Sequence, residues 1–394
     1  MIRAAPPLVV VLLLWGAGLA AAAQFGKFGV VFELLAARYP GQSPAMIGAV
    51  ISVVGLVGLI LGTTGGLFAA RLGYRRILVV GLAAGAVISA LQALSLPLPL
   101  LIASRMLEGL SHLAIVIAGP VLIAQIAPLR QQGLAMTLWS TFFGLSFAFM
   151  AYAGRPLAEA QGLGALLLAH GGVMALLAAL LWAVLPPDSP APASRLSLPA
   201  LVRQHGEIYA SPAVSAPALG FFCYALIYLA LLTLVPPMVG GHEVLIATGM
   251  PLIGIAVSLT LGVWLLRLVG AVTLVQGGFA LSALGGVLLW AGWGQPALML
   301  AGGLMLATAT GLVQGASFTA IPQLNPGAED RARAAGAMAQ LGNLGTTSGT
   351  PLLALMIAAQ GVNGLALFVL LPSLAGIALH GWLMLRRRAT QQVF

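Results

Sequence analysis

Apolar runs of about twenty residues recur along the whole chain, each ended by a charge, a proline or a glycine. That length matches a helix crossing the hydrocarbon layer of a bilayer. The runs are continuous, which excludes barrel strands, since those alternate apolar and polar over about ten residues. Inside lipid a backbone must satisfy its own N–H and C=O groups, and a helix does so within a single run. Composition agrees: 60% of the 394 residues are hydrophobic and only 6% are charged. A soluble domain carries roughly a quarter charged residues. The chain is read as an all-α integral membrane protein.

The runs place twelve transmembrane helices near 7–36, 44–69, 76–96, 98–126, 134–157, 163–185, 211–237, 244–266, 269–292, 297–321, 335–359 and 363–385. Arg3, the run from Leu8 and the alanines at 20–23 have the form of a signal peptide. Aromatics continue through Phe25, Phe28 and Phe32, however, and cleavage would leave an odd number of spans, so the segment is read as the first helix. The stretch 186–210, with Pro186, Pro187, Pro190 and Pro192 followed by Arg203 and Glu207, is the longest polar segment. It is expected to be an extended cytoplasmic linker between an N-terminal bundle, 1–185, and a C-terminal bundle, 211–394.

The halves resemble a degenerate repeat. Arg71-Leu-Gly73 and Arg267-Leu-Val-Gly270 follow the second and eighth spans, and Arg130-Gln-Gln-Gly133 and Arg333-Ala-Ala-Gly336 precede the fifth and eleventh. Leu107-Glu-Gly109 in the fourth span matches Val313-Gln-Gly315 in the tenth. Parallel six-helix halves around a midplane site are a transporter plan.

The net charge of +9 does not form a phosphate-binding stripe, so nucleic acid is not an expected partner. With the N-terminus inside, thirteen of the seventeen basic residues fall in cytoplasmic segments, as the positive-inside rule requires. Both termini are then cytoplasmic, and a bacterial inner membrane is the expected location. Cys223 is single, which excludes an internal disulfide and a cysteine metal cluster. No Walker loop, catalytic triad or zinc signature is present. Neither cofactor, metal site nor enzymatic activity is expected, and the protein is expected to be a monomer.

Gly66, Arg71, Gly73, Arg75 and Arg76 resemble the loop between the second and third helices of the major facilitator superfamily. That loop has an acidic residue where this chain has Ala70, so the ion pair that latches the inward side in the family is absent or replaced. Arg105 with Gly109 resembles a second motif of the family. The fifth-helix motif of drug/proton antiporters is poorly matched, since Arg155 separates Gly154 from Pro156. Glu108-Gly109, His112 and Gly119-Pro120 resemble cyanate- and nitroimidazole-type members. The resemblance implies two six-helix bundles related by a pseudo-two-fold axis and transport of a small-molecule substrate by alternating access.

Ionisable groups within a span are costly and point to function. Arg105, Glu108 and His112 share one face of the fourth helix by their spacing of three and four, so Glu108 can pair with either neighbour and is the candidate proton acceptor. The alternative role is a structural ion pair. Lys27, with Gln24 one turn earlier, is the candidate contact for an anionic or zwitterionic solute, the alternative being a lysine snorkelling to the outer interface. Trp139, Phe143, Tyr224 and Tyr228 are candidate cavity-lining aromatics, and Gln314 and Asn343 are polar candidates in the second half. A drug/proton antiporter for lipophilic compounds is the second reading, and a non-transporting receptor the third.

Overall fold

The computed structural model describes residues 6–188, 198–239 and 242–391. Arg3, Arg195 and the prolines at 190 and 192 lie outside these. In chain order the helices are α1 (Pro7–Gly29), α2 (Phe32–Arg38), α3 (Pro44–Ser52), α4 (Gly55–Leu61), α5 (Gly65–Leu72), α6 (Tyr74–Gln92) and α7 (Leu98–Ile126). The first half ends with α8 (Gln132–Ser140), α9 (Phe142–Phe149), α10 (Arg155–Gln161) and α11 (Leu163–Val184). Then come α12 (Leu198–Ala210), α13 (Ser215–Met238), α14 (Glu243–Val257), α15 (Val263–Leu265), α16 (Ala271–Ala291), α17 (Pro296–Leu324), α18 (Ala328–Gln360) and α19 (Val362–Gln391). Among the described residues nine helices are long and apolar enough to cross a membrane, and two bent pairs bring the number to eleven. The twelfth is α18, whose 33 residues suffice in length. Its Arg331, Arg333, Asn343 and Thr347 lower its apolarity, and it packs along α13, α3 and α4.

Among the described residues a π-turn at Ser258–Gly262 interrupts the eighth span, and three others are broken or bent. The first stops at Gly29 and resumes at Phe32. The second is broken between α3 and α4, whose axes differ by 58°. The fifth bends by 44° and passes through a π-turn at Met150–Gly154. Such a turn leaves an i→i−4 bond unmade and is a recognised cause of bending. The linker is also different from the expectation of an extended chain. Beyond its prolines, Leu198–Ala210 forms a helix, supported by the Arg203–Glu207 pair one turn apart.

The largest buried cluster is centred on α13, most of which is buried, and it takes in Phe25 from α1, Val30 and Val31 from the break after it, and Phe147 from α9. Residues of both halves therefore share one core. A second cluster, with Leu14, Leu78, Ile115, Trp139 and Met174, belongs to the first half alone. The halves meet along a seam of α3 and α4 against α18. It runs from Gly48, where a Cβ would lie 2.9 Å from the Pro351 backbone, through Gly55 and Gly58 beside Thr347 and Asn343. At the linker end the Gln340 amide donates to the Leu59 carbonyl over 2.9 Å.

Candidate functional site

The fourth span, α7, is held by Pro97 and Pro99 at its start and places Arg105 and Glu108 three residues apart in the interior of the first half. Both side chains are wholly buried. Glu108 Oε2 accepts from the Arg105 guanidinium and from the Gln92 amide of α6, the latter at 2.9 Å. Its other oxygen meets the Lys27 ammonium of α1 at 2.5 Å, and Lys27 is wholly buried too. Lys27 also donates to the Ser89 hydroxyl at 2.9 Å. The cluster therefore joins α1, α6 and α7, with two cations on one carboxylate. The Phe28 ring lies beneath both cations, 4.7 Å from the guanidinium carbon and 5.6 Å from the ammonium.

Two histidines flank the cluster. The Ser89 hydroxyl donates to the Leu167 carbonyl at 2.8 Å and lies 3.1 Å from His170 Nδ1 on α11. His170 Nε2 is 3.0 Å from the Ala20 carbonyl, which can only accept, so that nitrogen carries the hydrogen. By the same reasoning His112 Nδ1 donates to the Ala21 carbonyl at 3.0 Å. The expected reach from Glu108 to His112 is thus replaced by a bond to α1, and the His112 ring packs edge-on against Phe25. Lys27 does not snorkel outward: it is wholly buried and paired inside the first half.

Arg105 has a further set of partners. Its Nε donates to the Val50 carbonyl and its second terminal nitrogen to the Ile51 carbonyl, both at 2.9 Å. These are the carbonyls that an unbroken second span would give to the amides of residues 54 and 55. They sit on the 58° break. The backbone of Val54 presses on Gly109, one residue after Glu108.

Of the expected cavity residues, Phe143, Tyr224 and Tyr228 are brought together. Ring centroids run from Phe25 to Phe143 (5.9 Å), Tyr228 (6.2 Å) and Tyr224 (5.1 Å), crossing from one half to the other. Tyr224 is buried with no partner for its hydroxyl among the described residues, and borders a narrow gap of about 10 Å³ shared with Phe279, Ser282 and Thr310. Trp139 is elsewhere. It fills the notch made by Gly18 and Gly119 in the core of the first half. Gln24 donates to Ser111 at 2.9 Å within the first half, Asn343 bonds its own helix at Ala339 and lies on the seam, and Gln314 is half-buried on α17. Ser89, Gln92 and His170 escaped the sequence reading. The signal was there: His170 is the one ionisable residue in the run 163–185.

The loop of Gly66, Arg71, Gly73, Arg75 and Arg76 turns at Gly73, whose φ of 92° favours glycine. The amides of Arg75 and Arg76, the first turn of α6, each donate to the Asp188 carboxylate at 2.9 Å. The Arg75 guanidinium lies 4.0 Å over Trp182. At this end the linker helix bridges the halves, with His205 2.8 Å from Thr63 and the Tyr209 hydroxyl donating to Gln340 over 2.8 Å.

Residues 13–258 match the model of the Major Facilitator Superfamily, which covers more than half of the chain. The chain belongs to that superfamily. No curated protein matches this transporter in sequence. Its fold is similar to a bacterial homologue of the human lysosomal transporter Spinster, solved in inward-facing unoccupied and occupied conformations. The TM-scores are 0.74 and 0.75, with 12% and 13% identity, over 96% of this chain and 95% and 96% of those chains. Likeness at this identity speaks for the fold alone, and the multi-pass membrane assignment follows from it and from the apolar helices.

Proposed function

We propose that this transporter is a proton-coupled secondary carrier of a small organic solute, working by alternating access, with Glu108 as the proton acceptor. One observation carries the reading: a wholly buried carboxylate held by two buried cations from different helices, Lys27 and Arg105. With all three groups ionised the cluster holds one positive charge in excess. Uncompensated charge in an apolar interior is expensive, and functional ion clusters are where spans tolerate it. A proton on Glu108 would leave two cations without a counter-ion, and an anionic solute arriving nearby would supply one. Proton and anion then favour each other's binding, which is the thermodynamic sign of symport. The substrate class this supports is a small anion or zwitterion.

A second reading, export of lipophilic compounds in exchange for protons, is supported by the uncharged aromatic line Phe25, Phe143, Tyr228 and Tyr224 between the halves. A thermal-shift screen of carboxylates against lipophilic cations separates the two, because a ligand of the folded state raises its melting temperature.

The coupling itself is tested with Glu108→Gln in proteoliposomes, after a size-exclusion check of folding. The amide keeps a hydrogen-bonding group beside Lys27 and Arg105 but takes up no proton. Exchange of solute across the bilayer should persist while accumulation or expulsion driven by a pH gradient is lost. A folded variant that still follows the gradient removes Glu108 from the mechanism.

A further inference from the structure

We infer that Arg105 is a positioning residue that converts the charge of Glu108 into the bend of the second span and so into the seam between the halves. The inference rests on the reading of Glu108 as the proton acceptor.

Three observations meet at one guanidinium. It pairs with Glu108. It also holds the Val50 and Ile51 carbonyls at the break between α3 and α4. Those two helices are the ones that pack on α18 of the other half, with Gly55 just past the break set against Thr347. A buried carbonyl deprived of its helical amide needs another donor, and here an arginine supplies two bonds at once. The planar fork of a guanidinium can serve a carboxylate and two carbonyls together, whereas an ammonium is a point charge without that fixed geometry.

With Glu108 ionised, the carboxylate anchors the guanidinium and the break is held open. With Glu108 neutral, the charge that makes that anchor strong is gone. The guanidinium is then free to turn toward another anion, and the Val50 and Ile51 carbonyls return to the amides of Val54 and Gly55. The span straightens, and Gly55 and Gly58 shift against Thr347 and Asn343. A change of one charge in the first half is thereby delivered to the second half through backbone rather than through a chain of side chains. The other charged or titratable groups around Glu108 are Lys27 from α1, His112 on α7 and His170 from α11, while α6 presents Ser89 and Gln92. Among the described residues none of these bonds to the break as Arg105 does, so the route is specific to Arg105.

The test uses the full chain in lipid nanodiscs in a Cys223→Ala background, spin-labelled at Leu72→Cys at the end of α5, which continues the second span, and at Glu329→Cys on α18. The label separation is read at pH 5 and pH 8, and the carboxylic acid band of Glu108 is followed by infrared difference spectroscopy. In the parent the separation and the band should change together. Arg105→Lys should keep the band and lose the change in separation. If Arg105→Lys keeps both, the inference is overturned while Glu108 stands. If the parent shows no band that Glu108→Gln abolishes, the proton-acceptor reading fails and the inference with it.

Should Arg105→Lys not fold, hydrogen exchange in Glu108→Gln gives the same decision without altering Arg105. Amides 54 and 55 should exchange about fivefold more slowly than in the parent at one pH, the effect of one regained backbone bond. Unchanged or faster exchange there overturns the inference.

Discussion

At the scale of residues, the excess of one cation over the carboxylate makes a prediction about stability. Removing Glu108 entirely, as in Glu108→Ala, leaves Lys27 and Arg105 buried side by side, and breaking a buried ion pair in this way costs about 3–5 kcal/mol. Lys27→Met instead leaves a one-to-one pair of Arg105 and Glu108 and should cost less than about 2 kcal/mol, because the penalty of a broken buried pair comes from the uncompensated charge left behind, and here none is left. The order is checked by fluorescence-detected size-exclusion after heating; a Lys27→Met variant less stable than Glu108→Ala would show that the second cation is needed to hold the carboxylate. Part of this cluster is legible in the sequence. Arg105 and Glu108 pair because a spacing of three on a helix places them together. Lys27 stands 81 residues before Glu108, and its partner depends on how α1 is rotated against α7.

At the scale of elements, glycines on the seam set how closely the halves approach. Gly48 meets the Pro351 backbone, which cannot rotate away as a side chain could. Gly48→Val should therefore separate α3 from α18 at the end remote from the linker and raise the labelling rate of a cysteine placed at Met46, by about tenfold if the separation costs the closed state about 1.4 kcal/mol. Equal labelling in parent and variant would show that the seam gives elsewhere. The breaks in the spans were not readable from apolar runs, because an apolar run looks the same whether its helix is straight or bent. What distinguishes the second span is Arg105, a donor from another helix that makes a 58° break tolerable. The linker helix escaped for a related reason: prolines at its start mask the helical spacing of Arg203 and Glu207.

At the scale of the molecule, orientation remains the reading that the arginine distribution supports. With Cys223→Ala as background, Gln42→Cys should react with an impermeant thiol reagent in intact cells and Gln132→Cys only after permeabilisation. The opposite pattern would reverse the topology and exchange the entry and exit faces of the proposed symport.

The sequence by itself determined that the chain is a membrane-embedded helical transporter of this superfamily type, with Glu108 and Arg105 paired in its fourth span. Run length, charge placement and same-helix spacing are local quantities, and bilayer physics turns them directly into structure. Tertiary structure decided the rest: Lys27 closing on Glu108, His112 turning to Ala21, Trp139 filling a notch instead of lining a cavity, and Arg105 gripping a broken span. Each of these depends on the depth and rotation of one helix against another. In an apolar bundle those are settled by the packing of small residues and by the need of every buried polar group for a partner, neither of which is written within any single run.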